Sequence, residues 1–81
     1  MNISSSFGQV VRRFRERLGI SQEELAHRAG LDRTYVSGIE RGARNPSLKI
    51  IQRLAIALEV DLDILFLEVV ELRKSSQQES I

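Results

Sequence analysis

Two residues, Gly30 and Leu31, are all that separates the end of one helical pattern from the cap of the next. Before them, Ser21 caps a helix with Glu24 three positions on, the sequence form of a capping box. Leu25, Ala26 and Ala29 give that helix its apolar stripe. After them, Asp32 caps a helix that ends near Gly42 and holds only Val36 and Ile39 as core-facing residues. A two-residue link containing glycine leaves too little chain for an antiparallel hairpin, so the two helices must meet at a bend.

The rest of the chain is patterned as helix too. Phe7, Val10, Val11, Phe14 and Leu18 recur at helical spacing, and Gly19 ends that segment. Residues 43–46 read as a loop, in which Pro46 forces Asn45 to be extended. Ser47 caps a fourth helix with Leu48, Ile51, Leu54, Ala55 and Leu58 on one face. Asp61 caps a fifth, about 61–74, and 75–81 reads as a polar, frayed tail. There is no sustained strand alternation and no Asn-Gly or Asp-Gly hairpin turn. The expected fold is all-α: five helices in one domain over 1–81, with helices 2 and 3 forming a helix-turn-helix.

Several classes of chemistry find no residues to carry them. The chain has no cysteine, which rules out disulfides, thiolate catalysis and cysteine zinc sites. No carboxylate–histidine pair, nucleophile constellation, phosphate-binding glycine loop or metal spacing is visible, and the lone His27 reads as a surface residue of helix 2. No enzyme activity, cofactor or metal is therefore expected. No segment approaches the roughly 20 apolar residues of a membrane span, and the polar 1–6 stretch is no signal peptide. A cytoplasmic protein without a membrane partner is expected, and no second domain is present for a small-molecule effector.

Charge is divided along the chain. Up to Asn45 eight arginines face five acids, whereas from Pro46 onward four basic residues face six acids. Arginine is the side chain that forks onto phosphates and guanine edges. On helix 3, stepping about 100° per residue, Thr34, Ser37, Gly38 and Arg41 fall opposite Val36 and Ile39, and Arg33 projects from the first turn. Short polar groups there let the backbone approach the floor of a DNA major groove.

The run from Phe7 to Phe66 closely resembles the Cro/CI-type (XRE-like) helix-turn-helix regulators. Its marks are "SQEELA", "VSGIERG", "NPSL" and "LDILF", in that order. The length and "LDRTYVSGIERGARN" further resemble controller proteins of restriction–modification systems. The resemblance implies a lambda-repressor-like DNA-binding domain. It implies that Gln22 touches a phosphate while bracing helix 3, and that Arg33, Thr34 and Ser37 reach bases or adjacent phosphates. Arg44 and Asn45 would make backbone or groove contacts. Tyr35 either lies against a sugar–phosphate or thymine methyl, or packs flat on the domain. Arg41 is expected to be solvated or paired with an acid. Arg15 and Glu40 match positions joined by a partly buried structural ion pair.

The fifth helix is apolar around more of its circumference than one core can cover. Leu65, Phe66, Leu67, Val69 and Val70 are expected to be shared between the core and a homodimer interface. The implied function is a sequence-specific transcriptional regulator, dimeric on an inverted-repeat operator and controlling its own operon, with double-stranded DNA and RNA polymerase as partners. The alternative is an antitoxin or phage-type repressor whose apolar C-terminal helix holds a protein partner.

Overall fold

The computed structural model describes residues 2–79, with side chains through Ser76. Among the described residues it holds no strand and five helices: α1 (Ile3–Leu18), α2 (Gln22–Ala29), α3 (Arg33–Glu40), α4 (Leu48–Ala57) and α5 (Leu62–Glu79). Side-chain caps start the first four. Asn2 accepts from the Ser5 amide, Ser21 from Glu24, Asp32 from Thr34 and Ser47 from Ile50. Each satisfies a donor that has no partner inside the helix. The capping box at α2 is only half closed. Ser21 accepts from the Glu24 amide, but the Glu24 carboxylate accepts from Arg28 Nε at 2.8 Å.

The bend between α2 and α3 follows from the Gly30 conformation. Its φ of 67° is the left-handed one that side chains disfavour. The Leu31 amide donates back to the Ala26 carbonyl at 2.8 Å, closing the end of α2. A residue from α4 then clamps this turn: Arg53 donates to the carbonyls of Ala29 and Gly30. Val10, Val11, Leu25, Val36, Ile39, Leu54 and Leu65, drawn from all five helices, are fully buried and form the core.

Four expectations change. First, α1 begins at Ile3, well before the apolar pattern that starts at Phe7, because Asn2 supplies a cap ahead of the serines. Second, Leu48 lies on no buried face but is 80% exposed, since it occupies the first turn of α4 beyond the edge of the core. Third, α5 continues past Lys74 to Glu79, as nothing in Ser75–Glu79 stops a helix; residues 80–81 of the expected tail lie outside the described residues. Fourth, Leu65 and Val69 are sealed inside the chain's own core and cannot be shared with a partner. Of the five residues expected at a dimer interface, Leu67 and Val70 face outward, joined by Leu62 and Ile64. Phe66 is half-buried and stacks on Phe7, ring centroids 6.2 Å apart.

Candidate nucleic-acid interface

Helix α3 is held from behind by Val36 and Ile39, as its pattern requires, and its outer side is polar. Arg33, Thr34, Ser37 and Arg41 line one shallow depression on that side. Hydrogen bonds keep three of these side chains, Thr34, Ser37 and Arg41, close to the helix. Thr34 Oγ1 donates to Asp32 Oδ1 at 2.6 Å, and Arg41 donates to Ser37 Oγ. Arg41 is therefore tied to its own helix rather than to an acid.

Asp32 is exposed, yet the Thr34 hydroxyl and amide hold its carboxyl below the usual aspartate range. A carboxylate whose folded pKa is depressed stabilises the fold above its unfolded pKa, and that contribution disappears as pH falls through the folded value. Asp32→Ala should accordingly lower the melting temperature at neutral pH and matter little in strong acid. Asp32→Asn, which still caps but never ionises, should lose less than alanine at neutral pH and show none of the acid sensitivity. Melts of the three proteins across pH check both statements.

The far end of α3 is fixed by an ion pair. Arg15 Nε and Nη2 reach Glu40 Oε2 and Oε1 at 2.7 and 3.0 Å, with both side chains largely buried. The hydrogen bond to Glu40 raises the Arg15 pKa further above its ordinary value. Arg15 Nη1 also donates to the Ile20 carbonyl at 2.9 Å. Gln22, at the start of α2, donates from Nε2 to Glu40 Oε1 at 3.1 Å. One carboxylate thus ties together α1, α2 and α3.

The loop after α3 divides the remaining candidates. Arg44 folds back over α3, its guanidinium carbon 5.6 Å from the centre of the half-buried Tyr35 ring. Gly38, expected to face solvent, is buried beneath the Arg44 side chain. Asn45 points elsewhere. Its Oδ1 accepts from Ser4 Oγ at 2.7 Å, and it borders an apolar groove with Ile3, Phe7, Pro46, Ile51 and Phe66.

Two positioning residues escaped the sequence reading. Gly8 lets α1 lie directly on the end of α3, where a Cβ would come within 2.2 Å of the Ile39 carbonyl oxygen. A glycine inside a strong helical pattern was a usable hint of close approach. Arg53 carries no such signal, because its partners lie 23 and 24 residues away. Among the described residues there is no group of metal-binding side chains, and no helix is long and apolar enough to cross a membrane.

The helix-turn-helix family profile matches residues 11–65. The control protein C.BamHI of Bacillus amyloliquefaciens is 50% identical over 60 residues, which cover 73% of this chain and 74% of that protein. Among solved structures, the restriction-modification controller protein C.AhdI from Aeromonas hydrophila superimposes with a TM-score of 0.75. It is 50% identical over 76% of this chain and 94% of its own. The controller protein C.Esp1396I, crystallised as a tetramer in complex with its natural 35 base-pair operator, gives a TM-score of 0.82. The identity is 35%, with 88% of this chain and 93% of that one covered.

Proposed function

Because this chain belongs to the helix-turn-helix family, with the Cro/CI-type features set out above, we propose that it is a sequence-specific regulator of the restriction–modification controller type. It binds operator DNA as a homodimer on an inverted repeat and controls its own operon. The family and the neighbouring structures are transcriptional regulators rather than enzymes. The observation that carries this reading is the outer side of α3, where Arg33, Thr34, Ser37 and Arg41 surround one depression backed by buried Val36 and Ile39.

In this reading α3 enters the major groove. Arg33, Thr34 and Ser37 meet base edges or the adjacent phosphates, and Tyr35 with Arg44 covers the neighbouring strand. Gln22 presents its amide to a phosphate while its bond to Glu40 steadies α3. Asn45 approaches the backbone from the exit loop. Affinity should fall steeply with salt as arginines displace counterions. Protection footprinting on the DNA upstream of the protein's own gene, repeated over a salt series, tests the proposal. Two protected half-sites in inverted orientation support it. No protection there, with tight binding at unrelated sites, contradicts self-control.

Dimerisation supplies the second recognition helix, with half-site centres about 34–36 Å apart. Exposed Leu62, Leu67 and Val70 and half-buried Phe66 on α5, with Leu48 beside them, offer an apolar surface for it. Leu67→Glu should reduce both the sedimenting mass and operator binding while leaving the melt nearly unchanged. Val69→Glu, which buries a charge in the core, should cost about 3 kcal/mol or more of stability. A Leu67→Glu protein that remains dimeric would move the interface elsewhere. An apolar surface still exposed in the dimer, with a co-purifying protein, would favour the antitoxin alternative.

A further inference from the structure

Glycine in the middle of an eight-residue helix weakens it, yet Gly38 occupies the sixth position of α3. What the missing side chain makes room for is specific. A Cβ on Gly38 would lie 2.8 Å from Arg44 Cγ, 3.4 Å from Nε and 3.6 Å from Cδ, and these are the three nearest atoms it would meet. The chain between them doubles back tightly: the Ala43 amide donates to the Gly38 carbonyl at 2.8 Å, and Gly42 turns with a φ of 77°. The Arg44 stem thus runs across the bare backbone of α3 and brings its guanidinium to the Tyr35 ring.

We propose that Gly38 is a positioning residue for DNA recognition, holding Arg44 against Tyr35 in one orientation before DNA arrives. The proposal rests on the DNA-binding reading above. An arginine held over an aromatic ring by a cation–π contact is restrained there while its N–H groups remain free to fork onto a phosphate or a guanine. Restricting so flexible a side chain in the free protein removes an ordering cost that binding would otherwise carry. Gly38 needs no contact with DNA for this effect. It acts through Arg44.

The test uses a labelled duplex enriched from a randomised library by selection with the wild-type protein, and a random-sequence duplex of equal length. Gly38→Ala, Arg44→Ala and the double variant are compared by fluorescence anisotropy. Gly38→Ala should lower the preference for the selected duplex about tenfold, close to the effect of Arg44→Ala. The double variant should be no worse than Arg44→Ala alone. The Gly38→Ala melting temperature should be unchanged or raised, since alanine favours helix. Without DNA, the NMR signals of the Arg44 side-chain protons should lose their ring-current shift in Gly38→Ala. Tyr35 is the only tyrosine and there is no tryptophan, so Tyr35→Leu provides the reference.

Two results overturn the proposal alone. One is an equal loss from Gly38→Ala with and without Arg44, which means the new methyl meets DNA directly. The other is a wild-type duplex that Gly38→Ala binds normally with its Arg44 signals unmoved. A wild-type protein that enriches no duplex at all overturns the DNA-binding reading, and this proposal with it.

Discussion

Arg15→Met should destabilise the protein by about 3–5 kcal/mol, because it leaves the Glu40 carboxylate buried without its charge partner. For a chain of this size, whose total stability is roughly 4–12 kcal/mol, that is a large share. Arg15→Met combined with Glu40→Leu should recover much of the loss, since replacing both members by apolar groups removes the stranded charge. Recovery should be incomplete, as Ile20 loses its donor and Gln22 its acceptor. The half-buried Gln22 can turn to water, so its share is small. Thermal and urea melts of the two single variants and the double decide the matter. Harmless single changes would mean that the pair contributes nothing to holding α1 against α3.

Gly8→Ala should also be severe, for a different reason. The new Cβ would lie 2.2 Å from the Ile39 carbonyl oxygen and 2.8 Å from that of Glu40. Both are backbone atoms and cannot swing aside, so α1 must back away from α3. Overpacking costs about 1–3 kcal/mol, occasionally more, and a clash with backbone atoms belongs at the upper end of that range. The displaced atoms belong to the end of α3, the helix proposed to enter the groove, so on that proposal binding to DNA should weaken even in molecules that remain folded. Melting curves and duplex binding on the same preparation separate the two effects. An unchanged melting temperature would show that α1 and α3 are less tightly apposed than this.

Both predictions concern contacts of different legibility. The caps Ser21, Asp32 and Ser47 and the stops Gly19 and Gly30 act within a few residues, so the order of the helices and the bend at Gly30–Leu31 could be read directly. Periodicity also gave the inner side of α3, since Val36 and Ile39 are its only large apolar residues. It could not say where the core ends. Leu48 fits the stripe of α4 yet projects beyond its edge, while Leu65 and Val69, in the first part of α5 where apolar residues fall on nearly every side, could not be told from Leu67 and Val70. The candidate site was legible as an array on α3 but not in its fittings. Arg44 over Gly38 and Tyr35 depends on how the exit loop turns, and Ser4 meets Asn45 from 41 residues away. Such contacts leave no local pattern. Gln22 and the Arg15–Glu40 pair are the exceptions, because their resemblance to family positions was open to inspection and the structure sets both Gln22 and Arg15 against Glu40.

The central claim is that the outer side of α3 distinguishes one DNA sequence from another. The most direct measurement is the affinity of wild type, Arg33→Ala and Thr34→Ala for a duplex selected by the wild-type protein and for a random duplex at the same salt. Thr34→Ala keeps the amide that Asp32 caps, so the helix start survives the change. If the claim holds, each variant loses about 1–3 kcal/mol of discrimination on the selected duplex and much less on the random one. Equal losses on both duplexes from both variants would contradict it, reducing α3 to a phosphate-binding surface.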